Sequence, residues 1–339
     1  GKGGRLDVDL KQVNPADLAG FSSLFSPLSA LSLPVDAELG FELGMDGTPA
    51  RGEVNIRLKD GVVSLSERRF GVSRFELDLE TDLPAQSITL KKGRINVDGV
   101  GVRFAGTADF TLTPEGDIDV VTARVDGRKI DINVPSFLPA PIRNARADLG
   151  LTFLGDTNRL VVNTGRLSVQ NEKAALSGDI DFSDGLPKFG LTVSFDTLAR
   201  ETAFNLWPVK IGQLTRKWVN ENISGGRIEA ASIALNAGLD ELVSRKKGDP
   251  MREEALTLKM QFSDISIRPL RHLPPVKNAN AGFILRGTSF QADLSDGQMM
   301  LSDPNNAEAD RTVEMMTGKL EVADYRAQGV PSVVSFDAS

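Results

Sequence analysis

The chain has 339 residues, ordinary apolar content and a formal net charge of −7. That balance excludes an intrinsically disordered chain, and it argues against a nucleic-acid binder, which needs a basic face and exposed aromatics; one Tyr and two Trp are present. Cysteine is absent, which removes thiolate metal sites, disulfides and cysteine nucleophiles together.

The first element is Arg5-Leu6-Asp7-Val8-Asp9-Leu10, where apolar and polar residues alternate as in a half-buried strand. Asn14-Pro15 then reads as a helix start. Leu18, Phe21 and Phe25 follow at helical spacing, and Pro27 ends the element. Beyond it, alternation dominates. Val54, Ile56 and Leu58 form one set, and Phe75, Leu77 and Leu79 another. Val100, Val102 and Phe104 follow, then Leu149, Leu151 and Phe153, then Leu191, Val193 and Phe195, then Leu256, Leu258, Met260 and Phe262. The interleaved residues are polar, so one face of each strand is wet, which favours an antiparallel sheet.

Turn signals punctuate these sets: Lys59-Asp60-Gly61, Lys92-Gly93, Pro114-Glu115-Gly116-Asp117, Asp126-Gly127, Ser183-Asp184-Gly185 and Asp296-Gly297. Their spacing predicts on the order of 25 short strands in a meander, a sheet running ~100 Å or more. A second helical stretch is expected from about Leu198 to Asn222, with Ile211, Leu214, Trp218 and Val219 on one face and Ser224-Gly225-Gly226 closing it.

One phrase is repeated. Pro141-Ile142-Arg143-Asn144-Ala145-Arg146-Ala147 returns as Pro275-Val276-Lys277-Asn278-Ala279-Asn280-Ala281, and each copy leads into an alternating stretch with glycines at Gly155 and Gly165 or Gly287 and Gly297. Repetition of this kind predicts one long surface. The domain reading is therefore a single continuous repetitive segment over 1–339, with sub-units at about 1–135, 136–225 and 226–339. The chain opens and stops inside alternating segments, as expected for a piece of a longer protein. No apolar run reaches the roughly 18–20 residues of a membrane helix.

The residues offer no catalyst. His272 is the sole histidine, and no Gly-x-Ser-x-Gly elbow accompanies it. Asp117, Asp119, Asp179, Asp181, Asp293 and Asp296 are candidate carboxylates, but nothing singles out a glycosidase pair or a calcium loop. Neither Gly99-Val100-Gly101 nor Gly225-Gly226 has the setting of a phosphate loop. No cofactor and no metal site is expected, and the chain reads as a non-enzyme. What remains is an apolar face that two short helices cannot cover. It must close into a core or hold something apolar.

Leu206-Trp207-Pro208, Arg216-Lys217-Trp218-Val219, Asn222-Ile223 and Gly226-Arg227-Ile228 together resemble the AsmA-like family, in particular its YhdP branch. Leu273-Pro274-Pro275 followed by Asn278-Ala279 is similar to the same family. The resemblance marks Trp207, Pro208, Trp218, Gly226, Pro274 and Pro275 as structural motif positions. It implies a mainly β fold: a long, curled antiparallel sheet, a taco-shaped repeating β-groove, with one or two short covering helices. It also implies a periplasmic segment of a bridge protein anchored in the inner membrane of a Gram-negative-type envelope. Such a segment would shield phospholipid acyl chains on their way to the outer membrane, with possible envelope protein partners. Leu149, Leu151, Phe153, Ile180, Phe182, Val193, Phe195, Phe283 and Leu285 are the expected groove lining. The alternative is a closed β scaffold module that binds a protein.

Overall fold

The computed structural model describes residues 4–13, 34–58, 60–65, 68–184, 186–209, 213–239, 241, 252–268, 274–303, 306–323 and 333–338. The first expected helix, the exposed loop at 245–250, Ile211, His272 and Leu273 lie outside these residues.

Among the described residues eighteen strands follow one another. They are β1 (Arg5–Val13), β2 (Val35–Leu43), β3 (Pro49–Leu58), β4 (Gly61–Leu65), β5 (Arg68–Asp82), β6 (Ser87–Val97), β7 (Val100–Leu112), β8 (Ile118–Ile132) and β9 (Ile142–Leu154), then β10 (Arg159–Val169), β11 (Glu172–Asp181), β12 (Lys188–Phe195), β13 (Ile223–Gly238), β14 (Leu256–Ile267), β15 (Val276–Arg286), β16 (Ser289–Asp303), β17 (Asn306–Val322) and β18 (Val333–Ala338). Two helices, α1 (Arg200–Leu206) and α2 (Gln213–Asn222), interrupt the meander between β12 and β13.

Every ladder is antiparallel, and each strand pairs with its neighbours in sequence. β3 and β4 are the exception. Both pair with β5, β3 along Phe75–Asp82 and β4 along Arg68–Val72, so they share one rung. The result is a single curled sheet that does not close. Its 17 rungs span roughly 77 Å at ~4.8 Å per step.

The strands are fewer and longer than the turn signals predict. Lys92-Gly93 lies within β6, Asp126-Gly127 within β8 and Asp296-Gly297 within β16. Ser224-Gly225-Gly226 belongs to β13 and not to a helix end. Asp60-Gly61 sits at the junction of β3 and β4, where the chain does not reverse. Pro114 to Asp117 does form a tight turn, with the Gly116 amide donating to the Thr113 carbonyl at 2.9 Å. At Gly225-Gly226 and Asp296, where φ is positive, the physical reason is shared chemistry. A left-handed residue serves a bulge inside a strand as well as a hairpin turn, and Asp, Asn and Gly are preferred in both.

The bulges explain the repeated phrase. Asn144 and Asn278 occupy equivalent places in the two copies, and both have φ of 54°. Ile142 and Ala145 are 7 % and 5 % exposed, and Val276 and Ala279 are 0 % exposed. Plain alternation would place residues three apart on opposite faces. The extra residue at the bulge puts both on the same face. The bulges align across neighbouring strands: Lys129 in β8 lies beside Asn144 in β9, and Gly225 and Gly226, Asp264, Asn278 and Asp296 mark β13 to β16. Freed amides find carboxylates on the next strand. Asn144 donates to Asp131 Oδ1 at 2.9 Å, and Gln12 donates to Asp36 Oδ1 at 3.1 Å.

Candidate functional site: an apolar face across the sheet

Because the bulges preserve parity, one face of the sheet is apolar from rung to rung. One row runs Leu10, Ala37, Ile56, Leu77, Gly93, Phe104, Gly127, Ala147, Leu167 and Ala174. On the next strands it continues as Phe195, Ala231, Met260, Phe283, Ala292 and Leu320. No polar side chain interrupts it. Glycine recurs where neighbours crowd. A Cβ on Gly165 would stand 2.5 Å from the Leu176 carbonyl oxygen, too close for any side chain there.

The face is covered unevenly. Over β13 to β16 it is covered by the helix pair. Trp207 is 3 % exposed at the end of α1, and Val219 of α2 is buried beside it. They pack with Phe195, Ile228, Met260 and Phe283 in one cluster. Trp218 meets Phe290 edge-on at 6.1 Å, and Phe262 meets Phe283 at 5.0 Å. The helices cap each other: Arg216 Nη2 donates to the Phe204 carbonyl at 3.1 Å, and Arg200 Nη2 donates to the Asn220 carbonyl at 3.3 Å. Both guanidinium groups also lie over the Phe204 ring, at 5.4 and 5.9 Å. The expected single helical stretch is thus two helices, with Trp207 and Trp218 on different ones. Beside α1 a small apolar hollow of about 30 Å³ is lined by Phe195, Leu198, Trp207, Ile233, Leu258 and Met260, among other apolar side chains.

Over β6 to β11 most larger side chains of the same face are only half-buried, although Phe110, Ile142, Ala145, Val162 and Ala174 are buried. Leu149, Leu151 and Phe153 on β9 are half-exposed, as are Ile180 on β11 and Val193 on β12. Phe182, just past β11, is half-exposed too, and its amide donates to the Asn158 carbonyl. Phe195, Phe283 and Leu285 are buried in the helix-covered cluster. The nine expected lining residues therefore fall into an open set and a sealed set. Leu160 joins the open set, facing Phe153 on one side and Ile180 on the other, while Val162, which faces Leu151, is buried. Sequence reasoning missed Leu160 and Val162, which the alternation Leu160-Val161-Val162 could have supplied.

The motif positions have structural places. Pro208 lines the apolar hollow, and Pro274 and Pro275 are half-buried just before β15. Gly226 has φ of 68° and lies against the Ser263 carbonyl, so only glycine fits. The opposite face is wet and laced with ion pairs, such as Arg159 to Asp179 at 2.9 Å and Lys92 to Glu76 at 2.8 Å. Among the described residues no group of carboxylates and histidine is placed to hold a metal ion, and no helix is long and apolar enough to cross a membrane. The chain matches no protein-family model, no curated protein and no solved structure.

Proposed function

We propose that the sheet is a lipid-conducting trough, shielding phospholipid acyl chains along its apolar face. The observation that carries this reading is the unbroken apolar face whose larger side chains on β9 to β11, Leu149, Leu151, Phe153, Leu160, Leu167 and Ile180, are only half-buried. An apolar surface left open to water is unfavourable, and an acyl chain laid on it recovers about 0.8 kcal/mol per CH₂. A passive trough of this kind needs oriented apolar side chains and no catalytic group. Headgroups would stay at the wet rim. A sealed scaffold core is the competing reading, and half-exposed Leu149, Leu151 and Phe153 count against it. The AsmA-like resemblance supports a periplasmic setting, a membrane-anchored parent and envelope protein partners.

The test is native mass spectrometry of gently purified protein, with and without Phe153→Asp. Bound phospholipid in the parent, lost in a variant that still melts cooperatively, is the expected outcome. A lipid-free parent would sink the reading.

A further inference from the structure

The wet face carries a feature that a trough does not need. Ladder register sets Arg94 of β6 directly opposite Arg103 of β7, and Arg103 directly opposite Arg128 of β8. Like charges facing each other across strands are destabilising, and this row stands on a chain of net charge −7. Lys91, Lys92 and Lys129 surround it, and the six cations, with Gly93, Phe104, Ala105 and Asp126, line a concavity of about 380 Å³ open to solvent. The Lys129 bulge, with φ of 50°, helps place the cluster.

Local carboxylates compensate only half of this charge. Lys91 pairs with Glu80, Lys92 with Glu76 at 2.8 Å, and Arg128 with Asp126 at 2.5 Å. Glu76 lies opposite Arg94 in the ladder, but its ion pairs are with Lys92 and Arg74. Arg94, Arg103 and Lys129 have no ion-pair partner among the described residues.

We propose that this concavity is a binding site for a phosphate group. Two arginine forks match phosphate oxygens bidentately, and a dianion would compensate most of the unbalanced charge. The phosphate could be free, or it could belong to the headgroup of an anionic lipid at a membrane surface. The arginines alternate with Gly93 and Phe104 of the apolar row, which also line the concavity, so the site is tested in a chain whose trough lining carries Phe153→Asp.

The experiment uses the full chain carrying Phe153→Asp, with and without Arg94→Gln plus Arg103→Gln. Calorimetry at fixed ionic strength reads inorganic phosphate, and co-sedimentation reads phosphatidylglycerol against phosphatidylcholine vesicles. In either arm, binding weakened about tenfold or more by the two substitutions supports the site. Phosphate alone identifies a free anion; vesicles of phosphatidylglycerol alone identify a headgroup. Melting gives a second readout. Without phosphate, Arg103→Gln should raise Tm by about 1–2 °C, because it removes a like-charge pair. Equal binding by both proteins in both arms, or no binding at all, would overturn the proposal. Failure of the trough reading would appear separately, as absence of co-purified lipid in the parent chain.

Discussion

At Asn144 and Asn278 the backbone is left-handed, with φ of 54° at each. Asparagine tolerates this region, glycine more so, and β-branched residues poorly. Asn278→Gly should therefore change stability by less than about 0.5 kcal/mol, whereas Asn278→Val should cost about 1–2 kcal/mol; urea melts of the two variants check the difference. Phe153 and Phe283 make a second contrast, since both belong to the apolar face but only Phe283 is buried. Phe283→Asp places an unpaired carboxylate in a sealed core and should cost more than about 3 kcal/mol. Phe153→Asp should cost about 1 kcal/mol, mostly strand preference. Equal losses in thermal melts would mean that the face is sealed throughout.

The helix pair is the element whose stability depends most on a few contacts. α1 and α2 are 7 and 10 residues long, too short to persist alone. They are held by the Trp207 and Val219 anchors and by reciprocal arginine capping. Arg216→Ala removes a charged hydrogen bond to the end of α1 and a cation over Phe204. It should destabilise the helix pair by about 1–2 kcal/mol, read as faster amide exchange in 200–222 with little change in β6 to β11. Uniform acceleration across the sheet would contradict this picture. Bulged strands are the other recurring element. Their aligned left-handed residues bend the sheet while keeping apolar side chains on one face.

Across the whole molecule, wet-face electrostatics set the response to pH. The Lys92 ammonium, with its hydrogen bond, holds the Glu76 carboxyl below the ordinary carboxylate range. Arg128 does the same for Asp126, and hydrogen bonds from Ser183 and Ser263 do so for Asp181 and Glu229. A carboxyl depressed in the folded state contributes stability above its unfolded pKa and loses it as pH falls through the folded one. Melting temperature should therefore be nearly flat from pH 7 to about 5 and decline below about 4. The decline should be modest, since these groups are largely solvent-exposed. A rise in stability on acidification would contradict the assignment.

The apolar and polar alternation by itself determined a mainly antiparallel β protein with one dry face and one wet face, because side-chain direction in a strand has a period of two residues. It also placed a helical interruption before residue 223 and identified Trp207 and Trp218 as its large side chains. The number of strands was not legible. Asp296-Gly297 satisfies a hairpin turn as well as a bulge, and Asp126-Gly127 sits in regular pairing within β8; only the ladder partners reveal this. Nor could alternation separate Phe153 from Phe283, since parity is identical for an open and a covered apolar face. Tertiary structure decided that difference by seating α1 and α2 over Phe283 and its neighbours on β13 to β16 and leaving Leu149, Leu151 and Phe153 on β9 half-buried. It also set Arg94, Arg103 and Arg128 side by side, through pairings between strands that local sequence does not encode.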